Sequence, residues 1–415
     1  MVPPGEQPAP AVARAVSIDA LRGLVMGMMI FVNDLAGAPK SVVPDWMVHF
    51  SDRHQHMSGM TFVDLVFPAF LFLVGMSLPL ALGGRLSQGQ RWWRVSGHVL
   101  ARAAALLAIG ILMVNNESPA PTAPGWSPER WGYLMFLSAI LAFCVVSPRG
   151  ALSGGTKWWR GLTVALRVLG IAGMVYCAFT FRGEHGTRVI TLWPPAINTE
   201  WYGILGIIGW SYLFGAGLFL GFRNHRPALL GSLVLLLCLY PADQHGLFDG
   251  FSLAKIFGIG EIGAHTAIVT AGLLLASLLV TPETGDVRSR TRFALLAAAG
   301  YAAAAWLVGP LYGISKNEAT PSWCLWACAI TTLLWLLFYY LTDVRPVSLV
   351  SRPLKLAGQN VLLAYLLSEL LPSPLGFIPT GQAALWWYVA RSAIWAVLLL
   401  AATVGINRLG FRLKI

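Results

Sequence analysis

Apolar segments close to the thickness of a bilayer recur along the whole chain, and they limit the fold more than any other feature. An α-helix needs roughly 20 apolar residues to cross about 30 Å of hydrocarbon. The chain is 56% hydrophobic and 11% charged, whereas about 25% of residues are charged in soluble domains. We therefore predict an all-α integral membrane protein, a polytopic bundle of about 10–12 transmembrane helices. The twelve segments are residues 17–36, 61–83, 95–114, 131–147, 161–180, 204–222, 228–241, 263–281, 293–311, 322–341, 357–372 and 384–405.

Lys and Arg are divided unevenly between alternate loops. One set of loops and termini holds 18 of them and the other set holds 7, while four lie within the segments. Because cytoplasmic loops carry an excess of Lys and Arg, this division predicts that both termini are cytoplasmic. The net charge of +11 is thus interpreted as a topology signal, with no nucleic acid as partner. Some of these positive charges are also candidates for binding an anionic cytosolic ligand.

The chain is predicted to contain one membrane domain. Residues 1–16 are rich in Pro and Ala, which predicts a disordered cytoplasmic N-terminus. They lack the apolar core and the cleavage site of a signal peptide, so the first span is expected to be retained. Residues 17–415 are predicted to form a single multi-pass domain. Segments 228–241 and 357–372 are short, which leaves ten or eleven spans open.

The stretch "SDRHQHMSGMTFVDLVFPAFLFLVG" (residues 51–75) places His54, His56 and Asp64 at the non-cytoplasmic edge of the second span. Ionisable groups are costly there unless they are paired or line a cavity. Asp64 lies where the helix dipole favours a negative charge, or it orients a histidine and fixes its tautomer. Asn33 ends the first span on the same side. An imidazole beside Asn33 and Asp64 would suit general base catalysis.

Two further sets of polar residues allow more than one interpretation. His49, together with Asp45, Asp52 and the other two histidines, has a spacing that fits no strong zinc pattern, so no metal is predicted. At the cytoplasmic edge, Asp19 and Arg22 are three residues apart on one helix face and can pair there. Alternatively, Arg22 faces an anionic ligand that enters from the cytosol.

Two sequence blocks resemble a known family. "SIDALRGLVMGMMIFVND" and "HQHMSGMTFVDLVFPAFLFLVGMSLPLAL", within residues 17–83, resemble the opening blocks of the transmembrane acyltransferases related to heparan-α-glucosaminide N-acetyltransferase. "GQNVLLAYLLSE" is similar to a third, weaker block, and the chain looks closer to a bacterial subgroup than to the animal enzymes. The resemblance implies that an acetyl group is taken from cytosolic acetyl-CoA and delivered to a sugar amine across the membrane.

The resemblance also implies roles for individual residues. The active histidine of the family falls on His54, counted back from the shared "DLVFP", and its first-span Asn falls on Asn33. Its Asp falls on Asp64, and its late Asn falls on Asn360, a candidate for donor binding. Where the family has a His and a Glu in the third block, this chain has Ser368 and Glu369, which leaves the acceptor open.

The predicted function is a membrane-embedded acetyltransferase. Acetyl-CoA is the donor, and the acceptor is the amine or hydroxyl of an extracytoplasmic glycan or amino sugar. His54 is the general base or the acetyl carrier, Asp64 holds its ring, and Asn33 stabilises the oxyanion. Because Arg suits phosphate geometry, the residues expected to meet the phosphates of acetyl-CoA at the inner edge are Arg22, Arg94 and Arg102.

The alternative is a multi-pass transporter or flippase, since such proteins use intramembrane charges and broken helices. In either case the expected location is the plasma membrane, here a bacterial inner membrane, with the lipid bilayer as a partner. A homodimer is left open.

Overall fold

The computed structural model describes residues 16–54, 57–116, 127–147, 156–183, 188–193, 195–197, 203–223, 225–251, 258–280, 286–371, 373 and 384–415. Of the segment predicted to be disordered, residues 1–15 lie outside the described residues, and residue 16 begins the first helix. His56 also lies outside them.

Most of the described chain is α-helical, and four short strands form two small antiparallel pairs. Ten of the described helices are long and apolar enough to cross a membrane, which confirms a polytopic all-α membrane protein. The helices are α1 (Val16–Leu35), α2 (Phe50–Arg53), α3 (Val63–Ser87), α4 (Trp92–Asn116), α5 (Pro128–Ala142), α6 (Thr156–Thr180), α7 (Gly203–Phe222), α8 (Arg226–Gln244), α9 (Ile259–Val280), α10 (Val287–Tyr312), α11 (Pro321–Tyr339), α12 (Ser348–Ala357), α13 (Val361–Leu370) and α14 (Leu385–Arg408). The strands are β1 (Cys144–Val146), β2 (Ile190–Leu192), β3 (Pro195–Ile197) and β4 (Phe411–Leu413).

Two of the twelve predicted spans differ from expectation. The segment predicted at 131–147 ends its helix at Ala142 and continues into β1, so α5 has only 15 residues. The segment predicted at 357–372 is interrupted: α12 ends at Ala357 and α13 begins at Val361. With 10 residues, α13 is about 15 Å long and reaches about half-way through the hydrocarbon.

The centre of the bundle is the contact between α3 and α9. A Cβ atom on Gly75 would overlap the carbonyl oxygen of Val269, and one on Gly272 would overlap that of Phe72. The two helix backbones therefore touch where glycine leaves room. Small residues at such crossings are typical of membrane helices, because close van der Waals packing replaces the hydrophobic driving force that water provides.

Residues late in the chain hold both ends of α1. At its start, Asp343 accepts hydrogen bonds from the backbone N–H groups of Val16 (3.0 Å) and Ser17 (3.2 Å). This satisfies two of the N–H groups that a helix start leaves unpaired. At its other end, Asp34 accepts hydrogen bonds from Arg391 (3.2 Å) and Ser392 (2.6 Å) on α14.

A second set of contacts fixes the first turns of α1. The Arg22 guanidinium donates to Asp19 (3.1 Å), to Ser77 Oγ on α3 (2.5 Å) and to the carbonyl of Gly358 (3.3 Å), between α12 and α13. The predicted Asp19–Arg22 ion pair is thus confirmed. Arg22 joins α1 to α3 and to the interruption between α12 and α13.

The residues after α14 pack back onto the bundle. Strand β4 pairs antiparallel with β1, with Cys144 opposite Leu413. The N–H of Lys414 donates to the carbonyl of Phe143 (2.9 Å), and the Arg167 guanidinium donates to the carbonyl of Lys414 (3.0 Å). This tail closes the surface between α6 and α14.

We expect Gly75→Ala to lower the unfolding temperature in detergent micelles. The added methyl group would push against the α9 backbone, and such overpacking costs about 1–3 kcal/mol or more. Gly84→Ala is the matched control on the same helix, because its Cβ would meet nothing within 4 Å. Equal unfolding temperatures for the two variants would contradict the close α3–α9 contact.

Candidate active site

The two ends of the bundle carry different chemistry. We call the end where α1 begins and α3 ends the basic end, since the loops richer in Lys and Arg lie there. The other end, where α1 ends and α3 begins, is called the histidine end. Polar side chains converge at both.

At the histidine end, the carboxylate of Asp64 is 2% exposed and fully hydrogen-bonded. It accepts from His49 Nδ1 (2.7 Å), from the N–H of Phe50 (3.1 Å), from the N–H of Thr61 (3.0 Å) and from Thr61 Oγ1 (3.3 Å). Because Asp64 lies in the first turn of α3, the helix dipole also favours its negative charge. Burying a carboxylate requires partners of this kind.

The histidine that Asp64 holds is His49. The expectation that Asp64 holds His54 is wrong in the structure, where His54 Nε2 lies 3.7 Å from Asp45 Oδ2 and its ring packs on Phe50 with 4.8 Å between centroids. The physical reason is α2. The N–H at its first residue, Phe50, binds Asp64 and so places the preceding residue, His49, beside the carboxylate, while His54 lies one helical turn further along, at the end of α2.

The bond to Asp64 sets the tautomer of His49. A carboxylate only accepts, so Nδ1 carries the proton and the lone pair of the neutral ring is on Nε2. This is the arrangement of an imidazole oriented for general base catalysis. The side chain of His49 is 35% exposed, so a substrate can reach it.

Lys316, in the connection between α10 and α11, lies against His49. Its Nζ is 3.2 Å from Nε2 and 3.3 Å from Nδ1. Partial burial lowers the pKa of the Lys316 ammonium, and the negative charges of Asp64 and Asp52 oppose that shift. The described site thus contains one histidine between a carboxylate and an amine.

The remaining residues predicted for this end are placed apart from the pair. Asn33 is exposed near the end of α1, and the hydrogen bonds of the described residues include none between Asn33 and His49 or His54. Its neighbour Asp34 is engaged with α14. Within the described part of the chain, no three His, Cys, Asp or Glu side chains form a group that could hold a metal ion.

At the basic end, α1, α3, α4, α7, the α12–α13 interruption and the tail enclose a cavity of about 410 Å³. Cationic or titratable side chains line part of it, and apolar side chains from the middle of α1 and α3 line the rest. The first group is Arg22, Arg85, His98, Arg102 and Lys414, and the second includes Met26, Met29, Phe70 and Val74. Such a site can bind a ligand that has an anionic part and an apolar part.

Three of the four residues predicted to bind the donor line this cavity, namely Arg22, Arg102 and Asn360. Arg94 does not line it and is exposed in the first turn of α4. Arg94 and Arg102 are eight residues apart, which rotates them by about 80° around the helix. They therefore face different surroundings.

The polar groups in the cavity differ in how far they are already engaged. The Arg102 guanidinium lies over the Tyr212 ring, 5.0 Å from its centroid. Asn360 Oδ1 accepts from the N–H of Leu413 (3.3 Å). Its amide nitrogen is buried and has no hydrogen-bond partner among the described residues, which leaves two donors for a ligand.

The cavity and the histidine end lie along the same helix. Phe70, which lines the cavity, follows Asp64 by six residues on α3, or about 9 Å along the axis. About two helical turns therefore separate this part of the cavity wall from the His49–Asp64 pair.

Sequence reasoning missed several of these residues. His49 was considered only as a metal ligand, and its one signal is that it lies between a proline-containing turn and α2. Lys316 is one of three lysines in the predicted non-cytoplasmic loops, and its sequence context does not distinguish it from the other two. The local sequence around Lys414 gives no sign of a cavity. Lys414 reaches the cavity only because the tail folds back onto the bundle.

The fold and the two ends define a polytopic helical membrane protein with a charged cavity at one end and a histidine bound to a buried carboxylate at the other. Residues 14–185 match the family described as "Domain of unknown function (DUF5009)". Human heparan-alpha-glucosaminide N-acetyltransferase is 29% identical over 187 residues, which cover 38% of this chain and 26% of the human protein. The mouse protein of the same name is 30% identical over 138 residues, or 32% of this chain and 19% of that protein. The chain is thus related to these acetyltransferases over part of its length, and the match spans about a quarter or less of theirs.

Asp64→Asn is expected to destabilise the histidine end. An amide offers one acceptor oxygen in place of two, so at least one buried donor is left unpaired, at a cost of about 1–3 kcal/mol. The unfolding temperature in detergent should fall. Asp45→Asn is the control. The Asp45 side chain is 63% exposed, so loss of its charge should leave the unfolding temperature nearly unchanged. Equal stability of the two variants would contradict the role of Asp64.

Proposed function

We propose that this protein is a membrane-embedded acetyltransferase that moves an acetyl group from acetyl-CoA to an acceptor on the opposite side of the membrane. The observation that carries this proposal is the position of its two polar sites, a cationic cavity at the basic end and an oriented imidazole at the histidine end of one bundle. The relationship to the acetyltransferases supports it independently.

The cavity at the basic end fits the donor. Arg85, Arg102 and Lys414 provide positive charge, which suits the phosphates of acetyl-CoA. The apolar side chains of Met26 and Phe70 suit its pantetheine arm. The unpaired amide nitrogen of Asn360 supports the presence of a ligand, since buried donors without a partner are rare. With this end in the cytoplasm, as the loop charges predict, acetyl-CoA enters from the cytosol.

The pair at the histidine end fits the transfer step. His49 Nε2 removes a proton from the acceptor amine or hydroxyl as that group attacks the thioester carbonyl, and the CoA thiolate leaves. Asp64 keeps the ring oriented and stabilises the imidazolium that forms. A route in which the imidazole itself carries the acetyl group is the alternative. The geometry favours His49 for this role, whereas the resemblance favours His54.

The acceptor is proposed to be the amine or hydroxyl of an extracytoplasmic glycan or amino sugar, and the membrane a bacterial inner membrane. The acceptor is proposed from the reaction named for the relatives and from the predicted topology, and the membrane from the bacterial resemblance of the sequence.

A transporter or flippase is the second candidate, and one observation favours it. The interruption between α12 and α13 exposes backbone groups at the cavity, as the discontinuous helices of transporters do. Movement of an intact sugar across proteoliposomes without release of CoA would favour this alternative.

We expect His49→Ala to lower acetyl-CoA-dependent turnover on glycan acceptors by about 10²–10⁴-fold, because general base catalysis contributes that much. Release of CoA thiol by the purified protein in detergent measures it. His54→Ala is the matched variant, since both side chains are 35% exposed. Loss of turnover only in His54→Ala would assign the role to His54, and full turnover in both variants would contradict a catalytic histidine.

We also expect Arg102→Ala to weaken binding of CoA by about tenfold or more, because a hydrogen bond to a charged group contributes about 1.5–3 kcal/mol. Titration calorimetry of the detergent-purified protein measures this affinity. Arg94→Ala removes the same charge from an exposed position on the same helix and should bind CoA as the wild type does. If both variants bound CoA equally weakly, the affinity would come from positive charge at the membrane surface and not from the cavity.

A further inference from the structure

The Lys316 ammonium lies over the face of the His49 ring. Its Nζ is nearly equidistant from the two ring nitrogens, at 3.2 and 3.3 Å. An in-plane hydrogen bond to one nitrogen would leave the other much further away, on the opposite side of the ring. The nearly equal distances therefore place Nζ above the ring, and the in-plane lone pair of Nε2 remains accessible.

The loop that carries Lys316 is tied to the segment before α3. Ile314 accepts a hydrogen bond from the N–H of Gly59 (2.9 Å) and donates its own N–H to Ser58 Oγ (2.8 Å). Within the loop, Thr320 Oγ1 accepts from the N–H of Ser315 (3.0 Å). Hydrogen bonds of the residues before and after Lys316 thus hold it over His49.

The backbone of this loop also contains an unfavourable conformation. Ala319 has a φ of 51°, in the left-handed region that non-glycine residues rarely adopt. Such residues cost about 1–3 kcal/mol and persist only where the surrounding contacts impose them. A loop held in this way can keep a lysine in one place.

We propose that Lys316 is a positioning residue: its ammonium group, held over the His49 ring, keeps the imidazole neutral and its Nε2 lone pair free to accept a proton. This inference rests on the proposed function, in which His49 is the general base. It assigns to Lys316 a role that neither the resemblance nor the sequence pattern provides.

The electrostatic argument involves two opposing contacts. Asp64 alone would favour the protonated imidazolium, because an opposite charge stabilises it. A base that is already protonated cannot accept a proton. The Lys316 cation disfavours a second positive charge at the same place and offsets Asp64. Burial lowers the pKa of the Lys316 ammonium, and the carboxylates of Asp64 and Asp52 oppose that shift.

Other titratable and charged groups lie on the segments that carry this pair. On the His49 side of the site they come from the turn before α2, from α2 itself and from the residue that follows it, and on the other side from the Lys316 loop. They are Asp45, Asp52, Arg53, His54 and Glu318. These groups are unchanged in the variants below, so a difference between variants reports on Lys316.

The test uses diethyl pyrocarbonate, which reacts with a histidine side chain only when the imidazole is unprotonated. The full-length protein in detergent is treated over a range of pH, and modification of His49 is followed by peptide mass spectrometry. In Lys316→Met the midpoint pH of His49 modification should rise by about one unit, so that below the midpoint the rate falls about tenfold. Lys316→Arg, which keeps the charge, should retain the wild-type midpoint.

Two controls make the result decisive. Lys40→Met removes an exposed lysine from the same end and should leave the midpoint unchanged. His54 in the same samples is an internal control for folding, and its modification should be the same in all variants. A wild-type midpoint for His49 in Lys316→Met, or a shifted one in Lys316→Arg, would overturn the inference.

The readout separates this inference from the proposed function. Modification by diethyl pyrocarbonate needs no acetyl donor, so a shifted midpoint supports the role of Lys316 even in a protein without acetyltransferase activity. In an active protein, Lys316→Met should lower kcat below neutral pH and leave the KM for acetyl-CoA unchanged. Unaltered kcat at every pH would overturn the positioning role and leave the acetyltransferase proposal intact.

Discussion

The buried carboxylate of Asp64 is the constraint on which the histidine end depends. A charge at 2% exposure is tolerated only if its oxygens are hydrogen-bonded, and its donors are His49, Phe50 and Thr61. His49, Phe50 and Thr61 are therefore held around one side chain. The carbonyl of Asp64 also accepts from Trp323 Nε1 (3.3 Å), which connects the same residue to α11, close to the loop that carries Lys316.

The two polar sites depend on different parts of the chain. The described part of the histidine end comes from residues 49–54 and 57–64 and from the loop that carries Lys316. The cavity at the basic end takes residues from α1, α3, α4 and α7, from the α12–α13 interruption and from the tail. Helix α3 belongs to both, so its own rise sets the distance between them, and its backbone contact with α9 holds it in the bundle. A rigid helix shared by two sites suits a reaction whose donor and acceptor arrive from opposite sides.

The sequence predicted the spans well where hydrophobicity alone determines structure. It failed at α5 and at the α12–α13 interruption, because an apolar stretch buried in a bundle looks like a span whether or not its helix continues. At the candidate site, sequence reasoning identified Asp64 and proposed that a histidine lies beside it. It could not choose His49, since that choice depends on the single turn of α2. Lys316 is more than 250 residues from His49 along the chain, and only tertiary structure brings them together.

The hydrogen bonds from Val16 and Ser17 to Asp343 have a consequence for how the protein is made. Synthesis starts at the N-terminus, so α1 enters the bilayer before the residue that caps it has been translated. Until then the two N–H groups must bind water or lipid headgroups at the membrane surface. Helix α1 therefore reaches its final position only after Asp343 has been translated, and the cavity wall that Arg22 shares with Gly358 is completed later still.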